Sequence, residues 1–194
     1  MNAIFTAALE LQSFCRQRGW QSCIIGGLAV LRWGRPRATQ DVDLSLLTGF
    51  GHEDEFIKPL LEKMAPRITD AERFAADHRV LLLRASNGVP LDVTLAALPL
   101  EERIIQRSST FDFASDCSLV TASAEDLIVM KAFADRTKDW ADVEGILSQR
   151  ADRLDWATIE AELRPLCEIK ESFDVLRRLE ALRGGAFGFD NQNE

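Results

Sequence analysis

Two aspartates separated by one apolar residue, Asp41-Val42-Asp43, open an otherwise apolar run that ends at Leu47. This run constrains the fold more than any other feature. Its alternation predicts a strand over residues 41–47, and in a strand residues two apart share a face. Two carboxylates side by side repel unless a cation lies between them. Mg²⁺ (or Mn²⁺) favours carboxylate oxygen, with phosphate oxygens completing its shell. A third carboxylate, Asp92, lies in the apolar segment 90–96. That segment is joined to the run 79–84 through Asn87-Gly88, a strong hairpin signal. Three carboxylates on adjacent strands suit a two-metal phosphoryl-transfer site, which makes Asp41, Asp43 and Asp92 the candidate catalytic and metal-holding residues.

Upstream, the short apolar strand 22–25 ends at Gly26-Gly27, and a helix is expected over 28–33. Glycines between a strand and a helix let backbone N–H groups approach a phosphate, and the helix N-terminus favours its charge. A lone D-x-D pair or Gly-Gly turn says little. The order says more: strand, Gly-Gly, helix, the basic turn Arg32, Arg35 and Arg37, D-x-D strand, hairpin, strand with a third aspartate. Amphipathic helices are expected over 3–18, closed by Gly19, and over 53–64. A short helix is expected at 100–106 and a brief strand at 118–121. From Ser123 onward the pattern is helical: 124–134, 140–148, 156–163 and 168–182, stopped by Gly184-Gly185.

Composition excludes several classes. The 194 residues are 46% hydrophobic and 28% charged, enough to bury a core. Cys15, Cys23, Cys117 and Cys167 are scattered, and His52 and His78 are the only histidines. Zinc-cage spacings and a G-x-S-x-G elbow are both missing. A net charge of −8 argues against holding long nucleic acid over the whole surface. The N-terminal helix lacks a basic start and a cleavage site, so the reading is cytoplasmic, with no membrane partner.

The segment Ile25-Gly26-Gly27-Leu28-Ala29-Val30, with Arg37-Ala38-Thr39-Gln40-Asp41-Val42-Asp43-Leu44, resembles the glycine and D-x-D signature of DNA-polymerase-beta-like nucleotidyltransferases. The later blocks from Ser123 to Lys131 and Arg136 to Glu144 are similar to the abortive-infection, type IV toxin-like members. The pattern along the chain divides it into an α/β part (1–121), a helical region (122–184) and a flexible tail (185–194), and the resemblance implies that the α/β part is a nucleotidyltransferase fold, a small mixed sheet flanked by helices. It implies transfer of a nucleoside monophosphate from an NTP, such as ATP, to a hydroxyl on an RNA 3′ end, a tRNA, a protein or a small molecule. Mg²⁺ or Mn²⁺ would assist, and a cognate antitoxin is the implied partner. The metal carboxylates map onto Asp41, Asp43 and Asp92, and the phosphate turn onto Gly26 and Gly27. Arg37 and Thr39 lie in the same signature and join the nucleotide-binding set.

Many members place Ser or Thr at or after the second glycine, where Gly27 and Leu28 stand here. That departure supports an alternative: a weakly catalytic member that binds nucleotide or a partner without turnover. A purely structural interaction protein would explain the C-terminal helices but not the carboxylates. Lys131, on a mostly apolar helix, could reach a triphosphate or lay its stem over apolar surface. Ser123, Glu125 and Asp126 read as a helix start, and Asp139 as a cap for a helix from Trp140. Arg136, Asp139 and Asp142 are expected on a solvated face.

Overall fold

The computed structural model describes residues 2–188. Along the chain run α1 (Ala3–Gln17), β1 (Ser22–Ile25), α2 (Gly26–Trp33), β2 (Val42–Leu47), α3 (Asp54–Lys63), β3 (Ala65–Pro66), α4 (Ala71–His78), β4 (Val80–Arg84), β5 (Pro90–Ala96) and α5 (Pro99–Arg107). Then follow β6 (Ser109–Ala114), β7 (Cys117–Thr121), α6 (Ala124–Ala134), α7 (Thr137–Arg150), a 3₁₀ turn, α8 (Trp156–Lys170) and α9 (Phe173–Gly188). The chain forms two compact units. The first holds the residues up to Ala29 together with Ala38–Ala122; the second holds Val30–Arg37 and the chain from Ser123 onward.

The first unit is built on a seven-stranded mixed sheet in the order β3-β4-β5-β2-β1-β7-β6. Strand β2 runs parallel to β5 and antiparallel to β1. Cross-strand rows explain which residues are core and which are site. Leu81, Val93, Leu44 and Ile24 stand opposite one another across four strands and are all fully buried. Each such side chain contributes roughly 1.5–3 kcal/mol by leaving water. The adjacent row, Leu82, Asp92, Asp43 and Ile25, projects to the other face, because strand side chains alternate. The same period-2 pattern that builds the core therefore carries the aspartates.

Helix α1 packs on β1 and β7 through Ala7, Ala8, Leu11 and Phe14, and the Gln12 amide exchanges two hydrogen bonds with the Val120 backbone. The hairpin turn between β4 and β5 is tied to α1, since the Glu10 carboxylate accepts from the Ser86 backbone and hydroxyl. In the second unit, α6 packs against α7 and α8. Gly34 and Gly145 let chain segments approach closely: a Cβ at Gly34 would lie 3.2 Å from the Ile146 backbone, and one at Gly145 3.3 Å from the Arg35 backbone.

Several expectations are corrected. Strand β2 begins at Val42, so Asp41 immediately precedes it. Helix α2 begins at Gly26, so the glycines form its first turn. Helix α7 begins at Thr137 with Arg136 as cap, which places Asp139 inside the helix. Helix α8 continues through Pro165 to Lys170, because its buried face, Ile159, Leu163 and Cys167, spans the proline. Helix α9 passes Gly184-Gly185 and reaches Gly188, so residues 185–188 are helical rather than tail. Residues 189–194 lie outside the described residues. Among the described residues no helix is long and apolar enough to cross a membrane.

Candidate active site

The first unit brings five of the expected residues to neighbouring strand ends. Asp43 and Asp92 stand in direct register on the parallel pair β2 and β5. Asp41 lies two residues before Asp43, and Ile25, opposite Asp43 on β1, leads straight into Gly26. All three carboxylates are partly exposed while their immediate strand neighbours Val42, Leu44, Leu91 and Val93 are buried. An oxygen-rich notch thus sits at one end of an apolar sheet.

Gly26 is required for this packing. Its φ of +63° lies in the left-handed region, and a Cβ there would fall 1.9 Å from Asp43 Oδ2. Any other residue would push the Asp43 side chain aside. Gly27 and Leu28 continue into the helix, Leu28 fully buried.

Each of two carboxylates holds a partner. The Thr39 hydroxyl donates to Asp41 Oδ1 at 3.2 Å, so Thr39 makes a local hydrogen bond beside the site. Arg67 Nη2 donates to Asp92 Oδ1 at 2.5 Å. Burial pushes the Asp92 carboxyl above its ordinary pKa, the Arg67 guanidinium opposes that rise, and the Asp41 charge adds to it. Among the described residues no three His, Cys, Asp or Glu side chains converge as a ligand cage. Asp92 turns one oxygen to Arg67. The three aspartates do not close on a common point, but they are all oxygen donors of the kind a hard cation such as Mg²⁺ takes, they lie on adjacent strand ends, and Asp92 Oδ2 makes no hydrogen bond among the described residues.

Arg37 and Lys131 belong to the second unit, where both are held by Asp142. Arg37 clamps it with two hydrogen bonds, 2.6 and 2.9 Å, and Lys131 Nζ lies 2.7 Å from it. Lys131 also reaches Asp139 at 3.3 Å, and Arg136 pairs with Asp139. Asp139, Asp142 and Lys131 are buried, so the expected solvated face is overturned for the two acids. Burial works against the charged form of Asp142, yet the hydrogen bonds from Arg37 and Lys131 outweigh it and hold the carboxyl below its ordinary pKa. Asp126, fully buried, accepts from the Ser123 hydroxyl and anchors the start of α6 as expected. Of the remaining basic turn, Arg35 donates to the Ser148 hydroxyl and Arg32 lies over the Trp33 ring.

Sequence reasoning missed Arg67, a lone arginine after Pro66 with no motif around it. It also missed the burial of Asp139 and Asp142, for which a signal existed: they recur at helical spacing with Val143 and Ile146 on one face.

The fold resembles solved structures. The crystal structure of an antigenic nucleotidyltransferase-like protein from Paracoccidioides brasiliensis is 14% identical, covers 89% of this chain and 91% of that chain, and superposes with a TM-score of 0.54. The lincomycin-bound lincosamide antibiotic adenylyltransferase LnuA is 14% identical, covers 77% of this chain and 100% of that chain, with a TM-score of 0.52. No curated protein sequence matches the chain. Residues 24–181 match the profile of the family described as nucleotidyl transferase AbiEii toxin, type IV toxin–antitoxin system. That span takes in the glycine turn, the D-x-D pair, Asp92 and both later blocks, and the chain belongs to that nucleotidyltransferase toxin family.

Proposed function

We propose that the protein moves a nucleoside monophosphate from an NTP to a hydroxyl acceptor, with Asp41, Asp43 and Asp92 holding Mg²⁺ or Mn²⁺. The observation that carries this reading is the register of Asp43 with Asp92, two residues after Asp41 and backed by the Gly26 turn. The acceptor oxygen attacks the α-phosphorus, the bond to pyrophosphate breaks, and the hydroxyl proton is given up to solvent. Bound at the three carboxylates, the cation neutralises triphosphate charge. The first turn of α2 presents backbone N–H groups at Gly26 and Gly27 toward phosphate. Thr39 orients Asp41. Arg37 and Lys131 are assigned to the nucleotide on the family resemblance, with Asp142 setting their positions.

The acceptor is an RNA 3′ end such as that of tRNA, a protein or a small molecule. The family's toxin description supports a toxin paired with a cognate antitoxin, and the proposed site of action is the cytoplasm. A second reading, nucleotide binding without turnover, is favoured by one observation: the position after the second glycine is the fully buried Leu28, which offers no hydroxyl to phosphate.

The test is label transfer. The protein is incubated with each labelled NTP, Mg²⁺ or Mn²⁺, and tRNA and protein acceptors, with Asp41→Ala/Asp43→Ala as control. Transfer that disappears in the double variant supports the enzyme. Nucleotide-induced stabilisation without transfer supports the binding protein. Absence of any metal-dependent effect overturns both.

A further inference from the structure

We infer that Arg67 is the positioning residue for the third carboxylate: it fixes Asp92 through one oxygen and leaves the other to a divalent cation. The inference rests on the reading of Asp41, Asp43 and Asp92 as a metal-holding set.

The Arg67 backbone N–H donates to the Leu82 carbonyl at 3.0 Å, and Leu82 stands directly opposite Asp92 on the neighbouring strand. The Arg67 side chain then returns to the same pair, donating from Nη2 to Asp92 Oδ1. One residue thus grips the Leu82–Asp92 pair by both its backbone and its guanidinium. Arg67 follows the two-residue strand β3, paired to β4 at Pro66 and Leu83, so its backbone is placed by the sheet itself.

Both partners are sheltered, with side-chain exposures of 21% for Arg67 and 32% for Asp92, so the contact is more than a solvent-screened surface pair. The guanidinium also leaves its Nε buried with no hydrogen-bond partner. A buried donor left unmade is rare and calls for a reason. The guanidinium makes its hydrogen bond to Asp92 through Nη2 while Nε goes without one, so the side chain is placed to serve the carboxylate. A planar arginine donor fixes the direction of the carboxylate it binds, which a lysine ammonium does less well. Supporting partners of this kind tune metal affinity by about 10–100-fold.

The experiment measures Mn²⁺ affinity of the full chain without nucleotide, by electron paramagnetic resonance of the free ion, for wild type, Arg67→Gln, Arg67→Lys, Asp41→Asn, Asp92→Asn and the Arg67→Gln/Asp92→Asn pair. Expected is a loss of about tenfold or more for Arg67→Gln, partial recovery in Arg67→Lys, and a double variant no weaker than Asp92→Asn alone. Wild-type or tighter binding by Arg67→Gln would overturn the inference, as would additive losses in the pair. If Arg67→Gln does not fold, Arg67→Lys decides: weakened Mn²⁺ binding at a wild-type melting temperature supports the role, and unchanged binding refutes it. If Asp41→Asn and Asp92→Asn both bind Mn²⁺ like wild type, the metal-holding set itself fails, a result separate from the behaviour of Arg67.

Discussion

At Gly26 a single hydrogen atom in place of a methyl group allows β1 to turn directly beside the Asp43 carboxylate. The left-handed backbone alone disfavours an L side chain by roughly 1–2 kcal/mol, and the added Cβ would overlap Asp43 Oδ2, Cγ and Cβ, the last at 2.8 Å. Gly26→Ala is therefore expected to lose Mn²⁺ affinity and label transfer to the extent that Asp43→Ala does, with a lowered melting temperature. A Gly26→Ala protein with wild-type Mn²⁺ binding would separate the turn from the carboxylate. The residues of this notch were readable because each belongs to a pattern: Asp41 and Asp43 to a spacing, Gly26 and Gly27 to a strand–helix junction, Asp92 to a hairpin. Arg67 was not readable, since its partner is 25 positions away and reaches it only through sheet register. The second-unit pairing of Arg37 with Asp142, 105 positions apart, is hidden for the same reason.

Among elements, α7 carries the clearest energetic stake. It buries Asp142 against Lys131, both nearly out of solvent at 3% and 9% side-chain exposure. Asp142→Ala would remove the nearer of the two carboxylates that hold the buried Lys131 ammonium, leaving Asp139 at 3.3 Å, and would release Arg37. A loss of about 1–3 kcal/mol of stability is expected, measurable as a fall in the denaturant midpoint. The pH dependence follows from the sign of the shift. The folded carboxyl titrates below its unfolded value of 3.8, so its contribution is present above that value. It is lost as pH falls through the lowered folded value. Acid unfolding should accordingly be steeper in the wild type than in Asp142→Ala, which begins without this contribution. Helix α1 and strand β5 were legible from their apolar rhythm, and β1 and α6 from unbroken apolar runs set off by Gly26-Gly27 and by the Ser123 cap. Helix α4 and strand β6 were not. The first buries only the small Ala71 and Ala75 on eight residues. The second is an edge strand with almost no buried side, so neither leaves the apolar rhythm by which elements are recognised.

For the whole molecule, the notable fact is that the two compact units are interleaved along the chain. Val30–Arg37 belongs with the residues from Ser123 onward, although Ala29 and Ala38 on either side belong to the sheet unit. A fragment ending at residue 122 would keep every strand of the described residues but leave Gly34, Arg35 and Arg37 without Ile146, Ser148 and Asp142. Such a fragment is expected to show strand content by circular dichroism with a broad, low-temperature unfolding transition and rapid amide exchange over 30–37. A cooperative transition at the full-length temperature would contradict it. The sequence pattern placed a change of character near residue 121 but had no way to show that eight earlier residues cross the boundary, because membership is decided by packing rather than by composition. The interleaving also limits how this chain can be recombined: its helical part cannot be grafted onto another protein as a simple C-terminal cassette. A chimera has to carry the 30–37 excursion from the same parent, two cuts more than a tandem fusion, and the glycine turn then sits only a few residues from a recombination joint.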